Sequence, residues 1–116
     1  MNIIANGITG IVALLHIGFL ALEMFLWDKP MGREVFHTTA EFASQAKALA
    51  ANQGLYNGFL AAGLIWGLLA GDKKVKVFFL SCVVVAGIFG AFTVSSSIFY
   101  IQALPALIGL TLLLLV

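Results

Sequence analysis

Residues 75–94 read VKVFFLSCVVVAGIFGAFTV, twenty positions with a single charge, Lys76. A hydrocarbon core about 30 Å thick is crossed by roughly 20 apolar residues in a helix, because backbone N–H and C=O groups must satisfy one another there. The stretch therefore reads as a transmembrane helix. Working outward, Ile98 to Val116 follows after only Ser95-Ser96-Ser97, and Asn52 to Ala70 precedes across Gly71-Asp72-Lys73-Lys74. A further apolar run, Ile3 to Trp27, opens the chain. Connections this short join antiparallel neighbours, so the fold class expected is all-α: an integral membrane four-helix antiparallel bundle forming one domain over residues 1–116.

Composition points the same way. The 116 residues are 62% hydrophobic and 9% charged, with a mean hydropathy of +1.10. An average soluble domain has roughly 45–50% apolar and about 25% charged residues. Six Lys/Arg and five Asp/Glu cannot cover a water-facing surface, which excludes an ordinary cytosolic enzyme or binding module. A net charge of +1 leaves no polybasic arm, so nucleic acid is not an expected partner; the lipid bilayer is. Cys82 has no second cysteine to pair with and reads as a small buried hydrophobe.

The first run lacks a basic leader and exceeds the usual apolar length of a secretory signal, so it reads as a retained helix. The long connection, residues 28–51, opens with Asp28-Lys29-Pro30-Met31-Gly32-Arg33, whose Pro and Gly stop that helix. Thr38 followed by Glu41 has the spacing of a capping box, which predicts a helix from Thr39 running through Ala46 and Leu49 into the second span. Thr39 to Ala70 would be 32 residues, about 48 Å at 1.5 Å per residue. Such a helix either projects into water or bends near Gly54. Orientation rests on basic residues in short loops. Lys73, Lys74 and Lys76 lie on the side of both termini, against Lys29, Arg33 and Lys47 on the other. Lys29 and Arg33 are matched by Asp28 and Glu34, so a multi-pass cell-membrane protein with cytoplasmic termini is the expectation.

Lipid tails are as apolar as leucine, so small residues must let such helices approach. Gly54-x3-Gly58, Gly63-x3-Gly67, Ala86-x3-Gly90 and Gly87-x3-Ala91 supply such faces, within one subunit or between two copies of a homodimer. Depth is more informative. Glu23 ends the first helix at the level where Asn52, Gln53, Tyr56 and Asn57 begin the second. Thr93, Ser95 and Ser96 end the third, and Ser97, Tyr100 and Gln102 begin the fourth. Polar groups of four helices thus gather in one leaflet, while the other holds Leu, Val, Phe and Ala, with Asn6, Thr9 and Ser81 as exceptions. His16, near mid-bilayer, stands seven residues from Glu23 and so on the same helical face.

A carboxylate in a span must find a partner, in the bundle interior or in water. Glu23, His16, Asn52, Gln53, Tyr56, Asn57, Tyr100 and Gln102 are therefore the expected lining of a polar vestibule that binds or transports a small amphipathic ligand. The same groups also read as a self-satisfied network that fixes helix register, in a structural or partner-binding subunit with no ligand. A third reading is a membrane-embedded enzyme acting on a lipid-like substrate, though about 10 Å along the axis separates Glu23 from His16. One glutamate in the first of four short helices is also the layout of small multidrug-resistance transporters, but no motif of that family occurs.

Glu34, His37 and Glu41 imitate a metal set, but with Thr38 as cap the first two fall in a loop, so no metal, cofactor or catalytic residue is assigned. Trp27 and Trp66 read as interfacial belt residues, and Pro105 as a tolerated kink.

Three runs carry a family resemblance: Ala21-Leu22-Glu23-Met24-Phe25-Leu26-Trp27, the thirteen residues from Ala51 to Gly63 that include Asn52-Gln53-Gly54-Leu55-Tyr56-Asn57-Gly58, and Gln102-Ala103-Leu104-Pro105-Ala106-Leu107. Together they resemble the family described as domain of unknown function 1304, over nearly the whole chain. The resemblance implies a small integral membrane protein of four spans and transfers no catalytic residue.

Overall fold

A computed structural model of the chain describes residues 2–116. Six α-helices and one π-helical turn follow one another, with no strand among the described residues: α1 (Asn2–Met24), α2 (Pro30–Phe36), α3 (Ala40–Gln45), α4 (Lys47–Ala70), α5 (Lys73–Thr93), the π turn Phe99–Ala103 and α6 (Leu104–Leu115). Two stretches, Ile3–Met24 and Lys73–Thr93, are long and apolar enough to cross a membrane, and Phe99–Leu115 is a shorter apolar segment. The amides early in α4 keep it out of that class.

Buried positions recur at alternating steps of four and three residues. Along α4 they include Ala50, Gly54, Asn57, Ala61 and Leu64, and along α5 Lys76, Leu80, Val83 and Gly87. Such spacing keeps one face of each helix turned inward. That face mixes small and polar residues with a few leucines and valines, Leu64, Leu80 and Val83 among them, while many large apolar side chains face outward: Phe92 is 88% exposed, Leu69 84% and Leu115 73%. Isolated hydroxyls close on their own helices, Thr9 to the Ala5 carbonyl at 2.8 Å and Ser81 to the Val77 carbonyl at 2.7 Å, which satisfies a polar atom without a second helix.

The chain divides into two units whose boundaries fall inside α1 and α4. One comprises the chain up to Leu15 and Leu60–Val116. Its core is Ala5, Val12, Ala13, Leu64, Leu80, Val83, Ala106 and Leu113. Here α5 packs along α6 and the π turn. The π turn has a local cause. The Leu104 N–H donates to the Phe99 carbonyl, five residues back, and this widening precedes Pro105, whose ring would otherwise press on a carbonyl four residues back. Gly87 makes room for it, since a Cβ there would lie 2.6 Å from the Ala103 nitrogen. The two-residue link between α4 and α5 turns on Gly71, at φ +62°, and Asp72 caps α5 by accepting from the Lys74 N–H at 2.9 Å.

The second unit is His16–Phe59, and here the expected boundaries need correction. The first helix stops at Met24, not Trp27, and Glu34 lies in α2, not in a loop. Thr39, not Thr38, caps α3, accepting from the Phe42 N–H at 3.1 Å. That places Glu41 one position too early for the reciprocal half of a capping box, and the Thr38 hydroxyl is buried without a partner. Nor does one helix run from Thr39 to Ala70: it breaks at Ala46. The carbonyl of Ala43, which would receive the Lys47 N–H in a continuous helix, accepts the Trp27 indole N–H at 2.8 Å. Trp27, expected as a belt residue, thus ties down the connection, its ring 5.0 Å from Phe36. Asp28 pairs with Lys47 at 3.2 Å, not with Lys29 or Arg33.

Candidate functional site

The second unit holds the carboxylate singled out by sequence. Glu23 lies in the last turn of α1, where the helix presents unpaired carbonyls and its negative dipole end, so an anion there needs a donor. The donor comes from α4: the Asn57 side-chain amide donates to Glu23 Oε1. Asn57 is buried and Glu23 half-buried.

Local sequence explains how α4 comes close enough. Gly54 precedes Asn57 by one helical turn, on the same face. A Cβ at Gly54 would stand 2.7 Å from Met24 Cγ, 3.0 Å from Glu23 Cβ and 3.2 Å from the Leu20 carbonyl oxygen. The glycine therefore sets the spacing and the amide fills it with a hydrogen bond. Gly58 continues the stripe over Leu20. Both glycines of the expected small-residue pair thus pack within one subunit.

The other expected residues divide as follows. His16 is fully buried, its ring set edge-on to Phe19 at 5.2 Å. Asn52 and Gln53 are exposed, and so is Tyr56, at 50%, with its ring 5.9 Å from Phe59. Of the four α4 side chains expected beside Glu23, the one that bonds it is Asn57. Tyr100 and Gln102 belong to the first unit, on the π turn, Tyr100 exposed and Gln102 half-buried. Among the described residues no group of three His, Cys, Asp or Glu side chains is placed to hold a metal ion. The imitation set is spread over α2 (Glu34), its cap (His37) and α3 (Glu41).

Sequence reading missed a second polar contact. In the first unit, Lys76, only 6% exposed, donates from Nζ to Asn6 Oδ1 at 2.8 Å. Its one available signal was register, because Lys76 stands on the α5 stripe that continues through Leu80 and Val83. Asp28, outside the apolar helices, has a carboxyl held below its ordinary range, first by the hydrogen bond from Lys47.

The acid near the end of α1 and the Asn-Gln-Gly-Leu-Tyr-Asn-Gly segment of α4 that meets it both lie within two of the runs that carry the family resemblance. Neither the curated proteins nor the solved structures include a match to the chain. The family model described as "Protein of unknown function (DUF1304)" matches residues 10–114, and the chain belongs to that family.

Proposed function

We propose that the chain is a multi-pass, four-span protein of the cell membrane, with the Gly71 turn and both termini on the cytoplasmic side, and that it binds a small amphipathic ligand through Glu23 and Asn57. The membrane reading is supported by the large number of exposed Leu, Ile, Val and Phe side chains on α4 and α6 as well as on the two longer apolar helices, while Asn57 and Lys76 are buried. Water does not stabilise such a surface and lipid does.

The observation that carries the ligand reading is the Glu23–Asn57 contact. A carboxylate has about four acceptor sites, so one bond from the buried Asn57 leaves acceptor capacity on the half-buried Glu23. A ligand with an amine or hydroxyl head donates to the remaining carboxylate oxygen while its apolar body lies along α1 and α4. Tyr56, Asn52 and Gln53 on the same opening turns of α4 supply further polar atoms near the membrane boundary.

The test is a thermal-shift screen of the purified chain in detergent against amphiphiles bearing amine, hydroxyl, carboxyl or no polar head. An amine or hydroxyl amphiphile should stabilise the wild type and lose about tenfold in affinity toward Glu23→Gln, as expected for one charge-assisted hydrogen bond. Equal responses of the two proteins, or none from either, would leave the Glu23–Asn57 pair as a register-fixing contact and overturn the proposal.

A further inference from the structure

We infer that the connection between α1 and α4 is a lipid-docking strap: α2 and α3 lie in the headgroup region of the bilayer that α1 enters, with Met31, Val35 and Phe42 turned to the acyl boundary. The placement rests on the membrane reading proposed above, in which α1 crosses the bilayer. Three contacts within the second unit bind the connection to the ends of the long helices. A Cβ at Gly32 would collide with the Leu26 carbonyl, so α2 lies directly on the turn that follows α1. The Trp27 indole N–H reaches the Ala43 carbonyl of α3 at 2.8 Å, and Asp28 holds Lys47, the first residue of α4, at 3.2 Å. Neither short helix can therefore stand away from the level at which α1 ends.

At about 100° per residue the two short helices repeat one arrangement of faces. Each has one buried small residue, Gly32 in α2 and Ala43 in α3, which marks the side against the protein. Two positions from it, about 160° around the helix, stands an exposed glutamate, Glu34 in α2 and Glu41 in α3. On the flank, an exposed apolar side chain immediately precedes the small residue: Met31 in α2, joined one turn later by Val35, and Phe42 in α3. A helix with protein beneath it, a carboxylate opposite and an apolar flank satisfies all three faces at a boundary between water and lipid. Continuity favours lipid over a protein partner. Phe25, which directly follows α1, and Leu49, in the first turn of α4, are exposed too, so outward apolar side chains carry on from the strap to both helices that it joins.

The experiment uses the full chain in phosphatidylcholine vesicles. In a Cys82→Ala background, nitroxide labels are attached through Met31→Cys, Val35→Cys, Phe42→Cys, Glu34→Cys and Glu41→Cys, with Leu14→Cys, exposed on α1, as the lipid reference. Paramagnetic resonance compares collisions with oxygen, which concentrates in lipid, and with a water-soluble nickel chelate. At Met31, Val35 and Phe42 the oxygen-to-nickel ratio should shift toward that of Leu14, and at Glu34 and Glu41 toward water. Nickel access at the three apolar positions equal to that at Glu41, with Leu14 still in lipid, overturns the strap and leaves the membrane reading standing. Low access to both reagents means that protein, such as a second copy of the chain, covers the flank, and overturns it as well. A water-exposed Leu14 removes the membrane reading itself and the strap with it. Wild type cross-linked to a photoactivatable phosphatidylcholine and read by peptide mass spectrometry needs no substitution. Adducts are expected within residues 31–42 as well as on α1, and adducts on α1 alone overturn the inference.

Discussion

Asn57 meets Glu23 because Gly54, one turn earlier, leaves no Cβ between α4 and the end of α1. Three residues therefore act as one unit, and their substitutions should not add. Asn57→Ala and Gly54→Ala should each destabilise the chain in detergent, and the double variant should lose less than the sum. Polar contacts inside apolar bundles couple by about 0.6 kcal/mol on average and up to about 1.7, so the Glu23→Gln/Asn57→Ala cycle should fall in that range. Unfolding in graded denaturing detergent measures it, and strict additivity would break the argument.

Glycines offer an internal control. A methyl at Gly87 would collide with the backbone of Ala103, while one at Gly7 or Gly18 meets nothing within 4 Å. Gly87→Ala should cost about 1–3 kcal/mol through overpacking. Gly18→Ala should be neutral or stabilising by about 0.5–1 kcal/mol. The comparison needs only melting curves of the three proteins.

Trp27 ties down the long connection through one bond to the Ala43 carbonyl. Trp27→Phe keeps an aromatic ring against Phe36 and deletes the donor, at an expected cost of about 0.5–1.5 kcal/mol. Limited proteolysis should then cut within residues 28–46 faster than in wild type. Unchanged cleavage would mean that apolar packing alone holds the segment.

Asp28 sets an acid-side dependence. Its carboxyl is held below its ordinary range in the folded chain, first by the hydrogen bond from Lys47. A depressed folded value contributes stability above the unfolded pKa, and that stability is lost as pH falls through the folded one. Stability should therefore decline below about pH 4, less steeply in Asp28→Asn, and the difference should shrink in high salt because the pair is near the surface. Identical acid-side curves for the two proteins would exclude this pair as a contributor.

Helix content was legible because twenty-residue apolar runs leave the backbone little choice, and the turn at Gly71-Asp72 announced itself by composition. The breaks inside the helical segments were not. Ala46 carries no breaker, and the interruption beside it goes with an indole sixteen residues upstream of Ala43 in sequence. The exchange of Thr38 for Thr39 as cap depended on which of two adjacent hydroxyls faced the Phe42 N–H, a choice that spacing alone does not make. Pro105 suggested a kink, and the chain answers it with a wider turn.

At the candidate site, the acid was legible because a lone carboxylate in an apolar helix is conspicuous, and Asn57 was among the amides named for it. Singling out Asn57 over Asn52 and Gln53 required the face of α4, which Gly54 marks. The Lys76–Asn6 contact escaped because its members lie 70 positions apart and each had a simpler local explanation.

The two-residue joint at Gly71-Asp72 has a consequence for biosynthesis. On the four-span reading proposed above, helices linked so tightly would enter a bilayer together, so α4, diluted by its own amides, would be committed or rejected along with the greasier α5. In such a pair the more lipophilic arm would underwrite the other, and Asn57 would ride into the membrane on the hydrophobicity of a neighbour it does not belong to.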